Sequence, residues 1–453
     1  MIWVKRRAPT LPPFPAAAIP VAMNTEYIDS YYSRTRTDDV RRTPLDGTVE
    51  AETCVIGGGL AGLATALALG ERNRSVVLIE ARRVGWGASG RNGGFVSPGY
   101  SLGLDGIERK LGRETAQTLY RLGLDAHATV RARADQAGVR REAGLLKCHL
   151  AEHGEGLAPY VERMNRTYGL RLEHWSKAKM AEALATDRYA DGAYNPDAFR
   201  VQPLDMSRGF ARLAEAKGVR IFEGTPATGL ARDMGDRVVT TPNGRVRCRH
   251  VVLACGGYIG ALNLRVSAAT IPVATYVAVT EPLGERLKQT IRVSTGVSDV
   301  RLANDYYRPL PDGRILWGGR ISVFHPDPER LKEIIRADML KVYPQLADVR
   351  MDVAWGGWMG YARHKMPCLG PLDDGLWHNT CFGGHGLVAT TVGGELTASA
   401  IAEGDDRWRM TEPFGLAFAG GPIGKIPAQA VYWTLAAGDW MRRRRYVAER
   451  AAA

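Results

Sequence analysis

Residues 52–69 read ETCVIGGGLAGLATALAL, and the order of residue types in this stretch decides the fold. Cys54-Val55-Ile56 is a short apolar run cut off by glycines, the pattern of a parallel strand buried on both faces. Beyond the glycines, Leu60, Leu63, Ala64, Leu67 and Ala68 return at helical spacing and give one apolar face. A second apolar run, Val76 to Ile79, follows and closes on Glu80. Strand, glycine turn, helix, strand and acid, in that order, make a dinucleotide-binding unit. Gly57 permits the tight turn, Gly59 admits a pyrophosphate to the backbone, and Gly62 lets the helix pack closely on the strand. The helix N-terminus offers unpaired N–H groups to phosphate. Glu80, with Ala81 beside it, is placed to accept hydrogen bonds from a ribose diol.

The next stretch, GWGASGRNGG at 85–94, holds five glycines in ten residues. Fixing so many glycines costs conformational entropy, and the unit is not yet finished, so a linker explains them poorly. They fit a backbone run laid against the cofactor, with Gly93 closing it and Ser89 and Asn92 offering polar contacts. Arg91 either neutralises cofactor charge or forms a salt bridge. Further on, HVVLACGGY (250–258) is another buried strand ending in small residues, with Ala254, Gly256 and Gly257 permitting close approach.

These three stretches together resemble the FAD-dependent amine and amino-acid oxidoreductases of the D-amino-acid oxidase type. The GASGRNGG form of the loop marks one branch, and the resemblance runs through essentially the whole chain after about Met23. It implies an extended FAD with the glycine loop along its pyrophosphate and ribityl chain, and Thr228 near the adenine end. It also makes NTCFGGHGLVATTVGGELTASAIAEG (379–404) the flavin-binding segment, a strand, a glycine turn and a helix from about Val392. Gly384, His385, Gly386 and Leu387 then become flavin-site candidates, and His385 the one catalytic candidate. Cys368 and Cys381 lie where some members attach FAD, but neither sits in a matching motif, so non-covalent FAD is expected.

The implied fold is α/β: a Rossmann-like FAD-binding domain interleaved with an antiparallel-sheet substrate domain. Segments 45–105, 200–265 and 355–405 are assigned to the FAD domain, 106–199 to a helical cover, 266–354 to the substrate domain and 406–453 to a basic C-terminal extension. In the substrate domain, β-branched and aromatic runs punctuated by PDG at 311–313 read as strand, turn, strand. Tyr276, Tyr306, Tyr307 and Arg308 are candidates to line the substrate pocket. The implied reaction oxidises an amine C–N bond, with a small amine as substrate and oxygen as acceptor. A sarcosine, glycine or D-amino-acid oxidase is the alternative, with Arg308 or Arg320 holding the substrate carboxylate. So is a membrane-attached dehydrogenase passing electrons to a quinone, or a flavoprotein without catalysis.

Bulk properties narrow the remaining classes. A chain of 453 residues, 45% apolar and 24% charged, is an ordinary globular protein with room for two domains. No apolar run approaches the ~18 residues of a membrane helix. The six cysteines and nine histidines show no metal-ligand spacing, so a reduced cytoplasmic protein without a metal is expected. The net charge of +12 comes without a nucleic-acid-binding module, and no nucleic-acid partner is expected. Four arginines at 442–445 follow AVYWTLAAGDWM and form either a solvated tail or a weak contact with an anionic membrane surface. Residues 1–22 carry five prolines and read as disordered or as an extension ahead of a natural start at Met23.

Overall fold

Strand β1 (Gly47–Ile56) ends in four buried residues and lies in the middle of a largely parallel sheet. On one side it pairs with β2 (Val76–Ile79), which pairs with β7 (Arg220–Phe222). On the other it pairs with β10 (Gly244–Leu253), followed by β17 (Leu376–Thr380) and, antiparallel, β16 (Cys368–Asp373). An antiparallel pair, β8 (Gly229–Asp233) and β9 (Asp236–Thr241), hangs from β10. Helix α1 (Leu60–Glu71) follows the glycine turn and is buried along nearly its whole length. It is flanked by α3 (Pro203–Ala216) and α4 (Gly386–Glu403), with α2 (Arg113–Gln136) outside α4. The computed structural model describes residues 25–452 apart from 154, 302–303, 324–326 and 422–423. The N-terminal extension read at 1–22 lies outside the described residues.

The second sheet has nine strands. Its order is β15 (Met351–Tyr361), β11 (Ile271–Thr280), β14 (Ile315–Ser322), β13 (Tyr306–Pro309), β12 (Gly296–Asp299), β4 (Arg141–His149), β6 (Asp191–Val201) and β3 (Phe95–Val96), with β5 (Glu173–Trp175) beside β6. One face covers a core built around Trp317, Tyr307 and Tyr343, and the other looks toward the first sheet's glycine loops. The sheet is mixed rather than antiparallel, because β12 runs parallel to β4.

The segment boundaries differ from those read in the sequence. Residues 106–199 are more than a helical cover, since β4, β5 and most of β6 come from them. Their alternation is hidden by a bulge between Ala143 and Leu145 and by Asp, Asn and Pro within β6. Residues 355–361 belong to β15 and the second sheet, so the return to the first sheet comes after Tyr361. Helix α4 begins at Gly386, six residues before Val392, because three glycines and a histidine do not announce a helix start. The C-terminal extension forms a long helix, α5 (Lys425–Ala452), anchored by Gln429 Oε1, which accepts from Ser322 Oγ at 3.1 Å and Val323 N at 3.0 Å.

Candidate functional site

A cleft of about 1510 Å³ runs between the two sheets. Its first half is built from the glycine turn after β1. A Cβ on Gly62 would lie 1.9 Å from Gly57 O, so that glycine is what allows α1 to seat on the turn. One on Gly57, at φ +116°, would lie 2.7 Å from Ala254 O. Gly57, Gly59, Glu80, Ala81, Thr228, Ala254 and Gly256 all line this half. Glu80 is locked in place, Oε2 accepting from Gly58 N at 2.6 Å and Oε1 from Arg82 N at 2.9 Å. Burial raises its pKa, against the pull of those two N–H groups.

The glycine loop at 85–94 lies along the cleft, with Ser89, Asn92 and Gly93 on its wall. The polar groups of Ser89 and Asn92 hold the loop itself. Ser89 Oγ accepts from Leu60 N at 2.9 Å, at the start of α1. Asn92 donates to Ala88 O and Ser89 O and accepts from Gly94 N. Arg91 leaves the cleft altogether: its guanidinium stacks 3.9 Å from the Trp86 ring centroid and donates to Gly356 O at 3.3 Å. Among the described residues no carboxylate lies within ion-pair distance of it, so the salt bridge expected as one of its two roles is not formed.

The second half is walled by aromatic side chains: Phe95, Tyr306, Trp358 and Tyr361. Gly93 matters here, since a Cβ on it would meet the Tyr306 ring at 2.6 Å. Three of the pocket residues read from the sequence lie elsewhere. Tyr307 is fully buried, stacked on Trp317 at 4.2 Å with its hydroxyl 2.9 Å from that of Tyr343. Arg308 is buried and donates to Val201 O at 2.9 Å and to the Tyr32 hydroxyl at 3.3 Å. Tyr276 is buried in the core behind the sheet. For Tyr307 the reason is the period of two: Tyr306 faces the cleft, so Tyr307 faces the core, whereas Arg308, on the Tyr306 side, is drawn down by its bonds to Val201 O and Tyr32. The bulge between Thr275 and Tyr276 leaves Thr275 on the cleft side. Arg320, held at φ +54°, does line the cleft, but Asp338 grips it by two bonds, at Nε (2.5 Å) and at an η nitrogen (3.0 Å).

The C-terminal glycine turn closes the cleft between its halves. Gly384, His385, Gly386 and Leu387 line it, and His385 is the N-cap of α4, whose first turn opens onto the space. The imidazole is half-buried within the site, and the desolvation there lowers its pKa and keeps it neutral; Nε2 lies 3.2 Å from Pro98 O and 3.5 Å from Ser97 Oγ. A carbonyl partner makes Nε2 the protonated nitrogen. Cys381 also lines the cleft, 3.3 Å from Thr270 Oγ1, whereas Cys368 is buried behind it. Sequence reading missed Trp86, Phe95, Trp358 and Tyr361. Only their place beside the glycine clusters at 93–94 and 356–360 could have marked them.

A glycine cradle closed to Cβ atoms, a fixed acid after β2 and two helix N-termini on one cleft suit a dinucleotide in extended form. Comparison with known proteins agrees. Residues 52–400 match the family model "DAO: FAD dependent oxidoreductase". The chain is 30% identical over 389 residues to gamma-glutamylputrescine oxidoreductase of Escherichia coli (strain K12), covering 85% of this chain and 91% of that protein. It is 29% identical over 397 residues to the probable oxidoreductase OrdL of Haemophilus influenzae, again covering 85% and 91%. Among solved structures, glycine oxidase from Geobacillus kaustophilus superposes with a TM-score of 0.65 at 21% identity, covering 81% of this chain and 98% of that one. L-amino acid deaminase from Proteus vulgaris superposes with a TM-score of 0.67 at 22% identity, covering 86% and 99%. With the matched segment spanning both sheets, the chain belongs to the DAO family of FAD-dependent oxidoreductases.

Proposed function

We propose that the protein oxidises the primary amine of an N-acylated diamine of the γ-glutamylputrescine type, using non-covalent FAD. The net reaction takes the amine, oxygen and water to the aldehyde, ammonia and hydrogen peroxide. Bound FAD supplies the two-electron oxidation of the C–N bond. The observation that carries the choice of substrate is the state of the arginines. An amino-acid oxidase needs a cation for the carboxylate beside the reacting carbon, yet the Arg320 guanidinium is held by two bonds to Asp338, which it shares with Lys341, and Arg308 is spent inside the fold. The name of the Escherichia coli relative supports the same substrate class.

The chain's own residues set the protonation of the amine. Among the described residues no Asp or Glu lines the substrate half, so nothing there holds an ammonium in its charged form. The aromatic wall desolvates the amine, which favours the neutral, electron-donating form. Neutral His385, with Nε2–H turned to Pro98 O, adds no positive charge, and the Tyr361 hydroxyl stays protonated because burial raises its pKa. The first turn of α4 brings partial positive charge to the cleft, where it favours negative charge on a bound ring system.

Anaerobic mixing with single substrates tests the reading through the flavin absorbance. The protein is expected to bleach with γ-glutamylputrescine and to stay yellow with glycine, sarcosine and D-amino acids. Bleaching by an amino acid instead would move the substrate. Acid precipitation of the same sample should release the flavin to the supernatant, because Cys381, the one of the two candidate cysteines that lines the cleft, sits in no attachment motif. A second reading is favoured by α5, whose outer face exposes Trp433 and Trp440 beside four arginines. On that reading the protein works at an anionic membrane surface and a quinone takes the electrons.

A further inference from the structure

Lys147 on β4 lies next to the cleft wall, two residues along its strand from Leu145. Its neighbours at 146 and 148 point into the core, so it shares a face with Leu145, which lines the cleft. Its register partner across β12 is Ser298, which also lines the cleft. Its charge is close enough to help lower the pKa of the His385 imidazole, which lines the cleft.

The surroundings of this lysine do not neutralise it. Its side chain is exposed, and its ammonium lies 4.8 Å from the Tyr160 ring centroid. Among the described residues no carboxylate lies within ion-pair distance of it. Asp105 acts on it only at longer range and is itself paired with Arg163 at 2.7 Å. Although solvent reaches the side chain, the protein packed around it disfavours the charged form and lowers its pKa, so an anion arriving there would favour the ammonium. The cleft therefore has one cation held by a carboxylate, Arg320 on Asp338, and beside it an unpaired one, Lys147.

We propose that Lys147 and Ser298 form a subsite for a carboxylate carried by the substrate at the end remote from the amine. The ammonium and the serine hydroxyl each donate one hydrogen bond to it, and the Tyr160 face keeps the ammonium oriented. This rests on the amine-oxidation reading above and deepens it: the site takes ω-amino compounds that end in a free carboxylate, as a γ-glutamyl amide does. It also explains how a small neutral amine would be passed over.

The test compares γ-glutamylputrescine with N-acetylputrescine, whose acyl cap is neutral, in the holoenzyme and in its Lys147→Gln and Lys147→Arg variants. Lys147→Gln is expected to raise KM for the carboxylate substrate by about 10- to 100-fold, the worth of one charge-assisted hydrogen bond. Its kcat should hold, N-acetylputrescine should change less than about twofold, and Lys147→Arg should restore most of the loss. Equal losses on both substrates, or no loss on either, would overturn the subsite. If the unaltered protein oxidises neither amine, the functional reading falls by itself. The subsite is then judged by the flavin difference spectrum with L-glutamate as the probe. A dissociation constant weakened about tenfold or more in Lys147→Gln keeps it, and an unchanged one removes it.

Discussion

His127 shows how a single buried side chain sets the response of the fold to acid. It lies against Phe199, its ring centroid 5.2 Å away, and burial aided by the charge of Arg131 lowers its pKa to about 4. In the unfolded chain it titrates near pH 6.5. Between these values the unfolded state binds a proton that the folded state refuses, so stability is lost as pH falls. A tenfold difference in proton affinity is worth about 1.4 kcal/mol, so the loss through this residue approaches something on the order of 3 kcal/mol by pH 4. His127→Gln removes the group and with it that part of the dependence. Urea unfolding of both proteins from pH 7 to pH 4 should show the unaltered protein losing stability relative to the variant, with the difference growing below pH 6.5. A constant difference across the range would assign no titration to His127. The same scale shows what residue types do not reveal. Ser89 and Asn92 are the polar residues of the glycine loop, yet their hydrogen bonds fasten the loop to α1 and to itself. Composition locates such a loop, whereas the direction of each donor depends on backbone turns that no spacing rule encodes.

At the scale of elements, the crossing of α1 and α4 is set by one contact. A Cβ on Gly394 would lie 2.7 Å from Ala64 Cβ and 2.8 Å from the backbone carbon of Ala64 and the nitrogen of Thr65. Backbone cannot give way as a flexible side chain can, so the helices would have to part. Gly394→Ala is therefore expected to destabilise by about 1–3 kcal/mol, opposite in sign to the gain of about 1 kcal/mol that alanine brings in an open helix. Thermal unfolding gives the sign directly, and a raised melting temperature would show the crossing to be loose. Elements with a strong period were legible: β1, α1, β2 and β10 stand where the apolar runs and the Gly57–Gly62 turn put them. Elements without one were not, as β4 and β6 show, and neither was the phase of β13. One residue of phase separates Tyr306 on the cleft from Tyr307 in the core. Both are tyrosines, so the sequence carries no signal to choose between them.

For the whole molecule, the question left by a net charge of +12 is where that charge is used. Many of the arginines are tied up in ion pairs, as Arg133 is with Glu71 and Glu395, and pairing one charge with one charge leaves the excess to be placed elsewhere. Helix α5 is different. Gln429 ties the start of the helix to β14 and the segment that follows, while Ile426, Trp433 and Trp440 recur every seven residues along one exposed stripe. Trp433 is 61% and Trp440 58% exposed, well beyond what isolated surface tryptophans need. Arg444 stacks 4.7 Å from the Trp440 ring centroid, and Arg442 and Arg445 flank it at the exposed end. No helix among the described residues is long and apolar enough to cross a membrane, so contact would be with a surface. Tryptophan beside arginine suits the headgroup region of an anionic bilayer, where each nearby arginine contributes about 1 kcal/mol. The full chain should therefore sediment with phosphatidylglycerol vesicles and much less with phosphatidylcholine, and salt should weaken the binding as it screens the arginines. The double change Trp433→Ser and Trp440→Ser should lower the affinity by about tenfold or more without changing the flavin spectrum. Equal sedimentation with both lipids would remove the role of the arginines. If the unaltered chain is instead a dimer that becomes monomeric with the double change, the outer face of α5 belongs to a second copy of the chain, and the membrane-surface reading falls with it.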